Sequence, residues 1–240
     1  MIATKKVLCY TIIMKKLFTE NGISITPYQY ELFEKYYEIL VSYNQKVNVT
    51  AITEKKDVFI KHFIDSTLVN KKLIGANLLD VGSGGGFPAI PIKILRDDIS
   101  VTMLEATNKK CDFLRLVIKE LNLKNISVIC ARAEDLAKNT NFREKFDITT
   151  ARAVARLNTL LEYVLPFNRV GGKFYAFKSL LVEEEIKECN NALKILGGKV
   201  GEVINYDLYE NKRSIVVIDK EKSTPIKYPR GNGKERKNPL

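Results

Sequence analysis

The spacing of apolar residues changes near residue 77. Before that point Leu32, Phe33, Tyr36, Tyr37, Leu40 and Tyr43 recur at helical intervals. Thr26-Pro27-Tyr28-Gln29 opens this stretch as a capping box, with Pro at the first helical position. Asn44 to Asn48 break the pattern, and a second helical stretch is predicted from about Lys55 to Lys72. Residues 14–72 thus read as a helical cap, too short for a large core of its own.

From Asn77 onward, runs rich in β-branched residues alternate with helical segments. Strands are predicted at Leu78–Val81, Ile99–Leu104, Ile126–Ala131, Phe146–Thr150 and Lys173–Lys178. Helices are predicted at Ala89–Arg96, Lys109–Leu121, Leu157–Leu165 and Val182–Leu196. This alternation implies βαβ units and a mostly parallel, doubly wound sheet. Val203–Leu208 and Ser214–Ile218 are too close for a crossover helix, so they must pair antiparallel. The α/β unit spans 73–219. Residues 220–240 lack periodicity, contain three prolines and two glycines, and read as a loop or mobile tail.

Charge adds a partner to this picture. The 240 residues carry 39 Lys plus Arg against 28 Asp plus Glu, a formal net charge of +11. Seven of the cations and only two of the acids fall in the tail. Such a balance points to an anionic partner. The cysteines Cys9, Cys111, Cys130 and Cys189 show no CxxC spacing, and the chain has one histidine. A structural metal site and a disulfide framework are therefore not expected, and a reducing cytoplasm is. Cys111 and Cys130 read as small buried hydrophobes. No apolar run approaches the ~20 residues that span a bilayer. Val7–Met14 lacks the length and cleavage site of an export signal. Met14-Lys15-Lys16 would itself make an ordinary start, which leaves residues 1–13 as an extension of doubtful status.

Candidate chemistry centres on Asp80-Val81-Gly82-Ser83-Gly84-Gly85-Gly86-Phe87-Pro88, where a strand runs through glycines into a helix. Such a turn lets a ligand approach backbone amides. The pattern is D-x-G-x-G-x-G, and Phe87 occupies the position of the third glycine of a dinucleotide fingerprint. Glu105 ends the second strand and can accept from ribose hydroxyls; otherwise it is a surface acid. Ala133-Glu134 follows the third strand, where a loop can hold an adenine edge; otherwise Glu134 is a helix N-terminal acid.

These residues resemble the class I S-adenosylmethionine-dependent methyltransferases. The chain is more specifically similar to the glucose-inhibited division protein B family of small-subunit rRNA guanine-N7 methyltransferases. The likeness rests on Asn48–Thr53, Lys61–Ser66, Asp80–Pro88, Arg132–Asp135, Thr150–Ala155 and Tyr228–Arg230. It implies a seven-stranded Rossmann-like sheet with a terminal antiparallel hairpin. It also implies S-adenosylmethionine as cofactor, with contacts at Gly82, Phe87, Ala133, Glu134 and Arg152, to which the reading of the glycine loop and strand ends adds Asp80, Gly84, Gly86 and Glu105. The implied substrate is 16S rRNA or the small ribosomal subunit, and we expect a cytoplasmic monomer that uses neither membrane nor metal.

Guanine N7 has an in-plane lone pair and no proton, so no catalytic base is required, and no catalytic side chain is assigned. His62 and Asp65 share a helix face and read as a structural pair. Arg152 could meet the cofactor carboxylate, an RNA phosphate or a surface acid. Phosphate-binding candidates are Tyr228, Arg230, Lys234, Arg236 and Lys237 in the tail, then Lys109, Lys110 and Arg115. A nicotinamide-dependent oxidoreductase has only the generic glycine loop in its favour. A non-catalytic RNA-binding module would have no use for the intact Gly82/Gly84/Gly86 and Glu105.

Overall fold

The structure, a computed structural model, describes residues 13–73, 75–179 and 182–240. Cys9 and all of the Val7–Met14 run but its last two residues lie outside the described residues. The chain enters the α/β unit through α1 (Pro27–Asn44), where Thr26 and Gln29 exchange both bonds of the capping box. Seven strands follow. They are β1 (Asn77–Val81), β2 (Ser100–Glu105), β3 (Ile126–Cys130), β4 (Phe146–Arg152), β5 (Asn168–Ser179), β6 (Gly198–Leu208) and β7 (Asn211–Lys220). Their order across the sheet is β3-β2-β1-β4-β5-β7-β6. The first five are parallel, and β7 lies antiparallel to both β5 and β6. Strand order reverses between β1 and β4, so a crevice opens at their carboxyl ends, where open α/β sheets bind ligands.

The principal connecting helices are α2 (Ala89–Leu95), α3 (Asn108–Glu120) and α4 (Leu157–Val164). Leu78, Met103 and Ile148 point to one face of the sheet, and Leu79, Leu104 and Ala151 to the other. Burial on both faces explains why the parallel strands read as continuous apolar runs. The first face forms one apolar cluster with Phe18, Phe33, Tyr36, Phe59 and Phe63 of the N-terminal cap. The cap and the sheet therefore share a core.

The predicted strands and helices are present, with β5, β6 and β7 longer than the patterning suggested. The expected helix over 182–196 is two, Val182–Glu188 and Asn190–Leu196, broken at Cys189 ahead of two poor helix formers, Asn190 and Asn191. The stretch from Lys55 to Lys72 is also irregular, because a π-helical segment, Phe59–Ile64, interrupts it.

Two expectations need correction. The tail, read as a loop or mobile tail, is irregular apart from the short helix Lys234–Lys237, but it is anchored. Arg230 grips the buried Glu162 of α4 through its backbone N–H at 2.8 Å, Nε at 2.9 Å and Nη2 at 2.7 Å. Arg143 donates to the carbonyls of Thr224, Pro225 and Tyr228, and the Thr159 hydroxyl to that of Glu235. The Lys220 ammonium is buried between the Leu165 and Leu196 carbonyls, which pushes its pKa down to about 8. Counting tail charges overlooked that some have buried partners. Arg230→Ala should cost about 3–5 kcal/mol in denaturant unfolding, because Glu162 then loses its cation in a dry site. The double variant Arg230→Met/Glu162→Gln should recover most of that loss.

The second correction concerns sulfur. Cys111 and Cys130 are not separate apolar side chains; their sulfurs are paired, with Cα atoms 6.0 Å apart. Cys130 lies opposite Glu105 in the β2–β3 register, and Cys111 sits on the first turn of α3 just beyond Glu105. Tertiary register therefore joins cysteines 19 residues apart, which a search for CxxC spacing misses. Cys189 is free and buried.

Candidate active site

The glycine turn is pinned to β2 by bonds from the Gly82 and Ser83 amides to the Leu104 carbonyl, at 2.8 and 3.2 Å. Gly82 has φ +74°, and a Cβ there would sit 2.7 Å from Val154. Gly86 has φ +87°, and a Cβ there would overlap Ile90 and approach the Tyr36 hydroxyl to 2.7 Å. Glycine is needed at both positions for conformation and for space. Gly84 turns its amide onto Glu105 Oε2 at 2.9 Å, and Thr107 donates to Oε1 at 2.9 Å. Glu105 is thus held at the end of β2, with lone pairs left for a ligand.

Asp80 is fully buried at the switch point. Its Oδ1 accepts from the Thr150 hydroxyl at 2.8 Å, while Oδ2 has no partner among the described residues. Burial pushes its pKa up to about 6 against the opposing hydrogen bond of Thr150, while the Ser83 hydroxyl donates to the Asp80 main-chain carbonyl at 3.1 Å. A buried carboxylate oxygen without a donor is uncommon in native folds and marks a place for a ligand's donor. A cavity of about 250 Å³ adjoins this turn. It is lined by Gly82, Ala106, Ala133, Glu134 and Tyr163, and by Gly233 and Arg236 of the tail.

Phe87 does not face this cavity as a free contact. Its ring is stacked on His62 at 4.3 Å between centroids, with the Arg152 guanidinium 5.0 Å from its centre. Arg152 in turn donates to Asp65 Oδ2 at 3.0 Å, to the Lys61 carbonyl at 3.1 Å and to His62 Nδ1 at 3.0 Å. His62 Nε2 lies 2.8 Å from the Thr50 hydroxyl, and the Tyr206 hydroxyl donates to Asp65 Oδ1 at 2.8 Å. The π-helical turn exposes the Lys61 carbonyl that a regular helix would occupy, a feature frequent at functional sites. His62 and Asp65 do not bond each other; both are held by Arg152, which is neither a surface ion pair nor free.

Burial and the neighbouring Arg152 push the His62 pKa down to about 3. The ring is therefore neutral, with Nδ1 accepting from Arg152 and Nε2–H donating to Thr50. Since this is the chain's single histidine, its imidazole resonance should not titrate between roughly pH 5 and 8. Below the ordinary value of 6.5 the unfolded chain takes up a proton that the folded state refuses, so the group contributes to acid unfolding.

A second cavity, of about 220 Å³, lies beyond Arg152 and is lined by Asp65, Lys178, Glu185, Tyr206 and Arg213 among others. Buried Arg213 Nε has no partner among the described residues. Ala153, with φ +57°, separates the two cavities: Val154 lines the first, Ala153 and Ala155 the second. A non-glycine residue in that region is strained backbone, which tends to collect at working sites.

The structure brings together Asp80, the three glycines, Glu105, Ala133, Glu134 and Arg152. Among the cations, Lys109 and Lys110 sit on the first turn of α3 without a carboxylate partner among the described residues. Arg115 pairs with Asp112 at 3.0 Å. Lys234 and Lys237 are exposed, whereas Arg230 is committed to Glu162 and Tyr228 is buried. Sequence reasoning missed Tyr206 and Arg213 altogether, because no local motif marks them, and gave Thr50, inside the matching stretch Asn48–Thr53, no role. Among the described residues no helix is long and apolar enough to cross a membrane, and no cluster of His, Cys, Asp and Glu could hold a metal ion.

Solved structures share this architecture at low identity. A putative O-methyltransferase from Klebsiella pneumoniae matches with a TM-score of 0.57 at 12% identity, over 88% of this chain and 97% of its own. A SAM dependent methyltransferase from Aquifex aeolicus matches with 0.53 at 16% identity, over 71% and 96%. Sequence relatives are much nearer. Ribosomal RNA small subunit methyltransferase G of Exiguobacterium sibiricum is 44% identical over 226 residues, 92% of this chain and 95% of its own. The protein of that name from Streptococcus gordonii is also 44% identical, over 94% and 97%. The family model GidB, rRNA small subunit methyltransferase G, matches residues 29–216, so the chain belongs to that family.

Proposed function

We propose that this chain transfers the methyl group of S-adenosylmethionine to N7 of a guanosine in 16S rRNA. The observation that carries the reading is the unpartnered Asp80 Oδ2, buried beside a glycine turn that has no room for a Cβ at Gly82, Gly85 or Gly86. The residues fit the cofactor: Asp80 offers its free oxygen to an ammonium, Glu105 offers lone pairs to ribose hydroxyls, and Ala133 and Glu134 line the cavity for the base. When bound, S-adenosylmethionine supplies an electrophilic methyl on a sulfonium. Residues after β4 line both cavities, Val154 the first and Arg152, Ala153 and Ala155 the second, and the free Arg213 Nε–H suits the O6 acceptor of a guanine edge.

N7 attacks without losing a proton, so the chain's residues need only hold two reactants in line. Such positioning is worth up to ~7–11 kcal/mol. A neutral His62 fits a site that moves no proton. Exposed Lys109, Lys234 and Lys237 and half-buried Lys110 are cations for the RNA backbone, and the net charge of +11 favours that partner. A splayed guanosine suits the cavity better than one in an A-form helix, where the deep groove hides N7. In this reading the protein acts as a cytoplasmic monomer.

Labelled S-adenosylmethionine incubated with 16S rRNA and with small subunits tests the proposal. Label at a guanine N7, located by mass spectrometry, is expected; no transfer to either substrate refutes it. Sedimentation of the purified protein checks the monomer.

A further inference from the structure

The GidB match ends at residue 216, yet the chain continues for 24 residues and returns to the crevice. The returning segment is anchored at several points. Arg230 holds Glu162 of α4 and donates to the Asn238 carbonyl at 2.9 Å, closing the last loop on itself. The Gly231 amide donates to the buried Glu235 carboxylate, and the Glu235 carbonyl accepts from Thr159 of α4 at 3.1 Å. These contacts fix both sides of residue 236. Gly233 and Arg236 then line the cavity whose other walls are the glycine turn, Ala106 after β2 and Ala131–Glu134 after β3.

Arg236 has no carboxylate within ion-pair distance among the described residues. Tyr163 lines the same cavity, and the Arg236 charge is close enough to act on its phenol. Glu134, also in the lining, is the nearby counter-charge to any cation there. Nothing about the anchoring would be lost with a short side chain at 236, since the bonds that hold the segment come from Arg230, Glu235 and Arg143. The position is thus rigidly held, while its cation is left without a structural task.

We infer that the C-terminal segment forms a wall of the adenosine subsite and that Arg236 is a cofactor-binding residue that lies against the adenine, not an RNA-binding one. The inference rests on the methyltransferase reading above. A guanidinium is planar and weakly hydrated, and it stacks on aromatic faces where an ammonium does not. The tail charge, read from sequence as an RNA footprint, thereby divides: Arg230 anchors, Arg236 faces the cofactor, and Lys234 and Lys237 remain for RNA.

Calorimetry with two probes, S-adenosylhomocysteine and 5′-methylthioadenosine, tests this on the full chain. The second probe lacks the amino-acid end, so it reports the adenosine half alone. Arg236→Ala should weaken both by about tenfold, with Arg236→Lys recovering only part, because charge without the plane is the lesser share. Lys222→Ala, which removes a charge from the same segment outside the cavity, should leave both within about twofold. Melting temperatures of all variants should match the parent, which separates the effect from misfolding. Arg236→Ala with both affinities unchanged overturns the inference, and a rise confined to KM for 16S rRNA assigns the cation to RNA instead. A parent chain that binds neither probe refutes the methyltransferase reading itself, and the inference with it.

Discussion

Asp80→Asn should make the protein more stable and useless at once. Asp80 has no exposure to solvent, and its pKa is pushed up to about 6 by burial, from an ordinary 3.8. A raised carboxylate pKa means the folded state binds more protons than the unfolded between those two values. Stability from this group is therefore full below pH 3.8 and is lost as pH rises to 6. Above pH 6 the buried charge costs roughly 3 kcal/mol. Asparagine keeps an oxygen for the Thr150 hydroxyl and removes the charge, though its amide hydrogens then lack an acceptor. A net gain of about 1–2 kcal/mol is expected at pH 8 and none at pH 5, where Asp80 is already protonated. Denaturant titrations at both pH values read this directly. The same substitution removes a charge-assisted acceptor for the cofactor's ammonium, so affinity should fall roughly 30- to 150-fold. In the parent, affinity should decline as pH drops through about 6; in the variant it should be flat. A variant that gains stability and binds normally would leave Asp80 without a role toward the cofactor.

The same residue shows why part of the site was legible in sequence. Asp80, the glycines and Glu105 lie on two strand ends joined by one short helix, so their geometry is local and their spacing carries it. The π-helical turn is not local in that sense. One extra residue in a turn leaves the apolar pattern from Lys55 to Lys72 almost intact, yet it frees the Lys61 carbonyl that Arg152 uses. Contacts across topology are further from reach: Tyr206 meets Asp65 across 141 positions, and Arg230 meets Glu162 across 68. Composition misled where charge was counted without partners. A run of Lys and Arg in a proline-rich tail looks solvated, and only the folded neighbours reveal the buried carboxylate that fixes one of them. The cysteine pair failed for the same reason, since strand register sets its separation.

Arg152→Met should unfold the site before it tests the chemistry, because Asp65 depends on that guanidinium. The Asp65 side chain is 4% exposed, and without Arg152 its remaining donor among the described residues is the Tyr206 hydroxyl. Leaving a buried carboxylate unpaired costs about 3–5 kcal/mol, a large fraction of a domain's stability. His62 and Phe87 lose their anchor as well, since the guanidinium bonds one ring and covers the other. The informative variant is therefore Arg152→Met/Asp65→Asn, in which no charge is stranded and most of the stability should return. Methyl transfer should not return with it. Arg152 and Ala153 line the second cavity, next to Val154 of the first, and displacement of that segment by ~1 Å would cost on the order of a hundredfold in rate. The loss should appear in kcat, with S-adenosylhomocysteine affinity changed far less, because Asp80 and Glu105 are untouched. If the double variant folds and methylates within tenfold of the parent, the network from Thr50 to Tyr206 is scaffolding alone, and alignment of the guanine must come from Arg213 and the hairpin.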